Sequence, residues 1–195
     1  MEDITTLPKP RTDGQLALEA VLAKRRSVRS FRDVQLGIDH ISQLLWAAQG
    51  ITSDDGLRTA PSAGARYPIE MYAVLPEGMF RYHPTTHTMT RATDGDVRRD
   101  LCEAALQQES IVEAPLILVY AVVKARTQSR YGKGRGERYV HLDVGHSAEN
   151  VLLQAVGLGL GAVPIGAFDD AKVHEVLGLP ADQEVLYMIP VGYGT

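Results

Sequence analysis

Residues 115–123 read Pro-Leu-Ile-Leu-Val-Tyr-Ala-Val-Val, an apolar run without a charged side chain. Such a run differs from a strand with one face in water, in which apolar and polar side chains alternate. A strand that is apolar throughout requires cover on both faces, so the sequence predicts a buried strand with helices on either side. The whole chain holds 195 residues, a length suited to one domain with a single core.

Hydrophobic periodicity on either side of this strand predicts an α+β domain. Further strands are predicted at residues 70–75, 79–83, 88–91, 162–165 and 185–191. Helices are predicted at residues 15–24, 39–50, 96–108, 139–160 and 170–177. Residues 52–68 and 126–138 are rich in Gly and in polar or charged residues and are predicted to be loops, the second of them flexible. The domain covers residues 14–195 and follows an N-terminal arm, residues 1–13, predicted to be mobile or to lie on another surface.

The charge balance is mildly acidic, with 20 Lys and Arg against 24 Asp and Glu, so the chain lacks the basic field of a general nucleic-acid binder. Residues 1–10 are polar and do not resemble a secretory signal, and Gly and Pro interrupt the most apolar segment, residues 151–168. We therefore expect a cytoplasmic protein that neither binds nucleic acid nor spans a membrane. The one cysteine, Cys102, excludes an internal disulfide and is predicted to be a buried, inert thiol.

Residues 24–32 concentrate five cations in an otherwise acidic chain. If the first helix continued through this segment, Arg25, Arg29 and Arg32 would share one face. Two interpretations stay open. The cations complement the dipole of a solvated helix end, or they form a phosphate site in which guanidinium groups and the Ser27 hydroxyl donate hydrogen bonds. The net negative charge of the chain favours one bound anion over an extended polyanion.

Two short segments of small residues would let the backbone approach a flat ligand closely. They are Pro61-Ser62-Ala63-Gly64-Ala65-Arg66-Tyr67-Pro68 and Pro164-Ile165-Gly166-Ala167-Phe168. Each is also compatible with an ordinary turn, so on spacing alone each is a weak indication of a binding site.

Three better-known site patterns do not fit their context. Gly157-Leu158-Gly159-Leu160-Gly161 ends a helix and precedes a strand, the reverse of the order that a dinucleotide-binding loop requires. Residues 145–149 imitate a hydrolase nucleophile elbow but carry Glu in the last position. His141 and His146 are five residues apart on a helix, so their side chains diverge by roughly 140° and do not suit one metal ion. We expect no metal site.

Taken in their order along the chain, these segments resemble the FMN-dependent nitroreductase family. The motifs that carry the resemblance are Arg25-Arg26-Ser27-Val28-Arg29-Ser30-Phe31, the segment Pro61 to Pro68, and Gly159-Leu160-Gly161-Ala162-Val163-Pro164-Ile165-Gly166-Ala167-Phe168. The resemblance covers about residues 15–193 and is greatest for the branch of SagB-type dehydrogenases. It implies a nitroreductase-like fold, with a central mixed, mainly antiparallel sheet flanked by helices, in an intertwined homodimer.

The resemblance also implies which residues hold FMN. Arg25, Arg26 and Ser27 would bind the FMN phosphate. Arg29 would reach the edge of the ring near N1 and O2, where negative charge accumulates when a flavin is reduced, and a cation there raises the flavin potential.

The remaining implied contacts lie along the flavin ring. Pro164, Ile165 and Gly166 would follow the ring, with the Gly166 N–H near N5, and the side-chain amide of Gln108 would bond to the ring. The loop that in this family reaches the FMN of the partner protomer corresponds to Pro61, Ser62, Ala63, Gly64, Ala65 and Arg66. Ala65 stands where many relatives carry Asn, and the last strand is not followed by the Lys or Arg with which many relatives bind phosphate.

Members of this family reduce FMN with NADH or NADPH and pass the electrons to nitroaromatics, quinones or other acceptors. The resemblance therefore implies an NAD(P)H oxidoreductase with a small-molecule acceptor, in which the flavin N5 carries the hydride and no catalytic side chain is fixed by the shared motifs. Two alternatives keep the flavin: a SagB-type peptide azoline dehydrogenase, and a flavin-binding carrier or sensor without turnover. A third is an anion- or nucleic-acid-binding module built on residues 25–32 and 126–138.

Overall fold

The computed structural model describes residues 4–195, which form seven α-helices and one seven-stranded sheet. The helices are α1 Leu18–Lys24, α2 Ile38–Gln49, α3 Arg98–Ala104, α4 Ser110–Glu113, α5 Lys124–Tyr131, α6 Lys133–Gly157 and α7 Asp170–Leu177. The strands are β1 Ile4–Thr6, β2 Ile69–Leu75, β3 Gly78–His83, β4 Thr88–Asp94, β5 Leu116–Val122, β6 Gly161–Ala162 and β7 Glu184–Gly192. The α+β class predicted from the sequence is confirmed.

The strands follow the order β1-β4-β3-β2-β5-β7-β6, and the ladders between neighbouring strands are antiparallel. One parallel bridge, between Ser27 and Ala162, adds the segment after α1 to the β6 edge. The expected central, mainly antiparallel sheet flanked by helices is therefore confirmed. The predicted strand at residues 162–165 is divided, because β6 ends at Ala162 and Ile165 pairs separately with Met188.

Strand β5 lies between β2 and β7, and all seven of its residues are buried. Successive side chains of a strand point to opposite faces. Leu118 and Tyr120 accordingly join the core on the side of α2 and α6, whereas Ile117 and Val119 join the core on the side of α3 and α7. The cover on both faces that the apolar run predicts is present.

Helix α6, the longest helix, packs closely against α2 and the sheet. The Ser147 hydroxyl donates a hydrogen bond of 2.7 Å to the Ala48 carbonyl, and the Tyr120 hydroxyl donates one of 3.3 Å to the Ser147 carbonyl. Ala148 and Ala155 are buried on the same helix. No helix within residues 4–195 is both long and apolar enough to cross a membrane.

The described part of the N-terminal arm lies on the chain's own sheet and on α2. Strand β1 pairs with β4 at the edge of the sheet. The Ser42 hydroxyl donates a hydrogen bond of 2.6 Å to the Pro8 carbonyl, and the Arg11 N–H donates one of 2.8 Å to Gln43 Oε1. The surface under the arm is therefore this domain itself, and residues 1–3 fall outside the described part of the chain.

Residues 126–138 are largely helical, so the predicted flexible loop is wrong. Only Gly132, with a φ of 74°, separates α5 from α6. Much of α5 consists of Lys, Ala, Arg and Gln, which favour helices. A Cβ on Gly136 would lie 2.8 Å from the Cα of Gln128. The glycines that suggested flexibility therefore permit a turn and a close contact between two helices.

The predicted helix at residues 96–108 is shorter than expected and is followed by a separate turn of helix. Helix α3 ends at Ala104, Leu106 and Gln107 have φ values of 58° and 61°, and α4 begins at Ser110. Positive φ values do not fit a right-handed helix, so the chain changes direction here. This change of direction places Gln108 next to residue 167.

Candidate functional site

The basic segment after α1 is extended and lies beside β6. Helix α1 ends at Lys24, Ser27 forms a parallel bridge with Ala162, and the Val28 N–H donates a hydrogen bond of 3.0 Å to the Ala162 carbonyl. The prediction that Arg25, Arg29 and Arg32 share a helical face is therefore wrong. Pairing with the β6 edge satisfies backbone groups of this segment that a longer helix would have used internally.

Close packing fixes this segment against the ends of β6 and β7. A Cβ on Gly161 would lie 2.7 Å from the Val28 side chain, and a Cβ on Gly192 would lie 3.0 Å from the Phe31 ring. The Phe31 N–H donates a hydrogen bond of 3.0 Å to a carboxylate oxygen of Glu113. The absence of a side chain at the two glycines therefore allows the basic segment to lie directly on the sheet.

The cations of this segment have few partners. Arg26 and Arg29 are exposed, and Arg26 Nη1 donates only to the carbonyls of Ala23 and Arg25. Within residues 4–195, Arg29 has no hydrogen-bond acceptor or ion pair, and Arg25 has one weak ion pair, at 4.0 Å from Glu149. These guanidinium groups can therefore bind an external anion without first breaking a strong contact.

Next to the basic segment, the backbone of residues 164–167 turns outward. Ile165 exchanges backbone hydrogen bonds of 2.8 and 3.0 Å with Met188, and Gly166 is exposed. The Gly166 N–H has no acceptor within residues 4–195. Gln108 Nε2 donates to the carbonyls of Ala105 and Ala167, at 2.9 and 2.8 Å. One amide hydrogen of Gln108 thus holds this turn, and the other bonds within its own segment. Its side-chain carbonyl oxygen has no donor within residues 4–195 and can accept a hydrogen bond from a ligand.

The loop of residues 61–67 is held on the N-terminal half of α6 by a buried carboxylate. The Ser62 hydroxyl donates a hydrogen bond of 2.7 Å to Asp143 Oδ2, and the Ala63 N–H donates one of 3.3 Å to Oδ1. Ala65 and Tyr67 have positive φ values of 52° and 44°. Because side chains other than Gly disfavour this conformation, the loop keeps it only through such contacts.

The two groups of predicted ligand-binding residues are separated along α6. Asp143, which holds Ser62, is 14 residues from the helix end at Gly157, or about 21 Å at the rise of an α-helix. Val28 contacts Gly161, which lies beyond that end. The structure thus brings residues 25–29, Gln108 and residues 164–166 together, whereas no hydrogen bond or ion pair within residues 4–195 joins residues 61–66 to them.

Comparison with known proteins agrees with this arrangement. The nitroreductase family profile matches residues 22–193. The protein MJ1384 of Methanocaldococcus jannaschii, named as a nitroreductase, is 43% identical over 184 residues, which cover 91% of each chain.

This chain belongs to the nitroreductase family. The crystal structure of a protein from Ralstonia eutropha, described as a nitroreductase, superposes with a TM-score of 0.87 at 31% identity, covering 98% of this chain and 90% of the other. An NADPH-flavin oxidoreductase of Vibrio harveyi is 31% identical over 114 residues, which cover 54% of this chain and 47% of that protein.

Two acidic residues of this nitroreductase-family chain support the site although sequence reasoning missed them. Asp143 holds the loop of residues 61–67, and Glu113 holds Phe31. No local pattern identifies Asp143, because its partner Ser62 is 81 residues away along the chain. Burial raises the pKa of Asp143 above its usual range, and the hydrogen bonds from Ser62 and Ala63 oppose that shift.

Replacing Asp143 with Asn should change how stability depends on pH. A raised pKa means that the folded chain binds this proton more tightly than the unfolded chain. The free energy of unfolding of the wild type therefore decreases as pH rises from about 4 through the raised pKa. D143N should lack that loss, which amounts to about 1.4 kcal/mol per unit of pKa shift. Urea unfolding followed by the fluorescence of the single tryptophan, Trp46, measures the difference at each pH.

The matched control is Ser62→Ala, which removes a hydrogen bond that lowers the pKa of Asp143. S62A should therefore show a steeper loss of stability over the same pH range than the wild type. Parallel pH curves for wild type, D143N and S62A would mean that Asp143 does not titrate in this way.

Proposed function

We propose that this chain is an FMN-dependent oxidoreductase in which NADH or NADPH reduces bound FMN and the electrons pass to a nitroaromatic, quinone or similar small-molecule acceptor. The observation that carries the proposal is the pairing of Ser27 with Ala162, which joins the basic segment to the chain four residues before the exposed Gly166. Family membership and the NADPH-flavin oxidoreductase of Vibrio harveyi support a flavin-dependent oxidoreductase.

The donor set at the basic segment fits a phosphate. Arg25, Arg26 and the Ser27 hydroxyl offer charged and neutral N–H and O–H donors at an exposed site. Guanidinium groups bind phosphate in a forked geometry, and their charge shortens and strengthens these hydrogen bonds. We assign the FMN phosphate to these three residues.

The donor set at the neighbouring turn fits the flavin ring. The Gly166 N–H is a free donor that would face N5, and Pro164 and Ile165 would lie against the ring. When bound, FMN supplies the hydride chemistry between nicotinamide and acceptor. Arg29 would stabilise the negative charge that develops on the pyrimidine edge, because it is a cation without an ion pair within residues 4–195.

A second copy of this chain would complete the site. Residues 61–66 are held about 21 Å along α6 from the helix end beside the basic segment, so we assign them to the FMN of the partner protomer. Large apolar side chains are exposed on the two helices nearby. Leu18 and Leu22 on α1 are 60% and 52% exposed, and Leu142 on α6 is 51% exposed. We assign these exposed leucines to the surface that the second copy would cover.

The finer assignments stay predictions. The SagB-type branch implies a peptide azoline dehydrogenase, which would use a peptide substrate in place of a nicotinamide donor. A flavin-binding carrier or sensor would bind FMN without turnover. The expected cytoplasmic location and the absence of nucleic-acid binding likewise stay predictions.

The first test of the proposed function is an absorption spectrum of the protein with added FMN, before and after anaerobic NADH or NADPH. We expect a bound-flavin spectrum that bleaches on addition of the nicotinamide. A bound flavin that stays oxidised would favour the peptide dehydrogenase or the carrier. Absence of flavin binding would contradict the assignment of residues 25–29 to FMN.

Arg29 should set the flavin potential. In FMN-loaded protein, Arg29→Ala removes a positive charge from the pyrimidine edge, so the midpoint potential should fall and reduction by NADH or NADPH should slow. The control Arg29→Lys keeps the charge and should stay closer to the wild-type potential. Spectroelectrochemical titration measures the three potentials, and equal values in R29A and wild type would remove this role from Arg29.

The homodimer should depend on the exposed face of α6. Sedimentation equilibrium is expected to give twice the chain mass of 21.3 kDa. Leu142→Arg places a charge in the proposed interface and should shift the protein toward single chains with weaker FMN binding. The control Ile4→Arg changes a side chain of similar exposure on β1, at the opposite edge of the sheet from β6, and should leave the dimer intact. A single-chain wild type would contradict the dimer.

A further inference from the structure

A polar cavity of 390 Å³ lies away from the proposed flavin site, between strands β2 and β3 and helix α5. Its charged lining consists of Arg58, Glu70, Arg81 and Arg126, with His83 at one side. Three guanidinium groups therefore face one carboxylate. Asp182 also acts electrostatically on Arg81 but does not line the cavity.

Glu70 is shared by two of the three arginines. Arg81 donates to Glu70 Oε2 from Nε and Nη2, at 3.3 and 2.9 Å, and Arg126 Nη2 donates to Oε1. Glu70 is 9% exposed, so its charge is largely removed from water. Both oxygens are thus occupied, and one carboxylate neutralises one of the three positive charges that surround it.

Arg58 has no carboxylate partner. Its Nη1 donates a hydrogen bond of 2.8 Å to Gln49 Oε1, and its guanidinium lies 4.3 Å from the centre of the Tyr67 ring. Its Nε is buried without a hydrogen-bond partner within the described residues. Burial lowers the pKa of this guanidinium from its ordinary value, as it does where a charge loses water without gaining a counter-ion. A partly buried cation without a counter-ion, beside a polar cavity, is suited to binding an external anion.

We propose that this cavity binds a phosphate dianion, either free inorganic phosphate or the phosphomonoester group of a nucleotide such as the 2′-phosphate of NADPH. Two uncompensated positive charges match a dianion, and guanidinium groups bind phosphate oxygens through paired N–H groups. Arg81 Nη1, Arg126 Nε and Arg58 Nη2 have no acceptor within residues 4–195, and all three side chains line the cavity. The site requires neither FMN nor hydride transfer, so it goes beyond the proposed function.

The same arginines also hold the end of the loop that the dimer proposal assigns to the partner's FMN. Arg126 Nη1 donates a hydrogen bond of 3.0 Å to the Tyr67 carbonyl, and Arg58 lies over the Tyr67 ring. An anion that fixes Arg58 and Arg126 therefore fixes Tyr67 as well. Occupation of the cavity should stabilise the conformation of residues 61–67.

Isothermal titration of the purified protein with inorganic phosphate tests the site, in low-salt buffer at about pH 8, where phosphate is a dianion. Arg81→Gln is the main variant, because Arg81 is partly exposed and its loss leaves Glu70 paired with Arg126. Arg58→Gln is the second. Each should weaken phosphate binding by about tenfold or more, the usual effect of removing a charge-assisted hydrogen bond. The control Arg99→Gln removes an exposed charge on α3 and should bind like wild type.

A further variant separates this site from the proposed FMN phosphate site. Arg25→Ala should keep phosphate binding at the cavity, whatever its effect on FMN. Phosphate binding that R25A abolishes and R81Q preserves would place the anion at Arg25 and overturn the proposal. Wild-type protein that binds no phosphate, or that binds acetate as tightly as phosphate, would also overturn it.

Nucleotide fragments distinguish the two sources of the dianion. Tighter binding of 2′,5′-ADP than of inorganic phosphate, with the gain lost in R81Q, would identify the cavity as the site of a 2′-phosphomonoester. Binding of 2′,5′-ADP no tighter than that of inorganic phosphate would identify free phosphate as the ligand. Either result supports the anion site. Failure of FMN binding or of flavin reduction would contradict only the proposed function.

Discussion

Strand β5 has no side chain in contact with solvent, and this constraint orders the rest of the domain. A strand buried on both faces must have strands on both edges and helices on both sides, because its backbone needs ladder partners and its side chains need apolar neighbours. β2 and β7 supply the edges, and α6 with α2 covers one face. The opposite face receives the shorter helices α3 and α7. The proposed flavin and anion sites lie near the ends of these strands and helices and along the segments that connect them.

Helix α6 positions both groups of residues in the proposed flavin site relative to the hydrophobic core. Its buried face is fixed against α2 by Ser147, so its two ends have fixed positions relative to the sheet. Asp143 in its N-terminal half holds the loop of residues 61–67, and beyond its C-terminal end Gly161 contacts Val28. A rigid element of this length keeps the two groups apart within one chain. It also has an exposed face, which the proposed site shared between two protomers would require.

Features set by local pattern could be predicted from the sequence, and features set by distant contacts could not. The apolar run of β5, the end of α2 at Gly50 and the end of α7 at Gly178 each follow from neighbouring residues. The extended conformation of residues 25–31 depends on Ala162 and Gly194, more than 130 residues away. The prediction of a continued helix from local sequence was therefore wrong there. Asp143 and Ser62 are 81 residues apart. The family resemblance proposes flavin contacts because it carries such long-range information, whereas the cluster around Glu70 has no local pattern.

The exposed arginines of the basic segment and the arginines of the cavity have different surroundings, and this difference affects which anions each group can bind. Arg26 and Arg29 are exposed and almost without partners, so an anion there must compete with water but displaces no protein contact. Glu70 pairs with both Arg81 and Arg126, and Arg58, which lines the same cavity, is partly buried without a counter-ion. In such a cluster, the free-energy cost of holding like charges together has already been met when the chain folds. A bound dianion would therefore be attracted by all the guanidinium groups at once. Selectivity for a doubly charged ligand follows from this arrangement, since a single negative charge would leave one cation uncompensated.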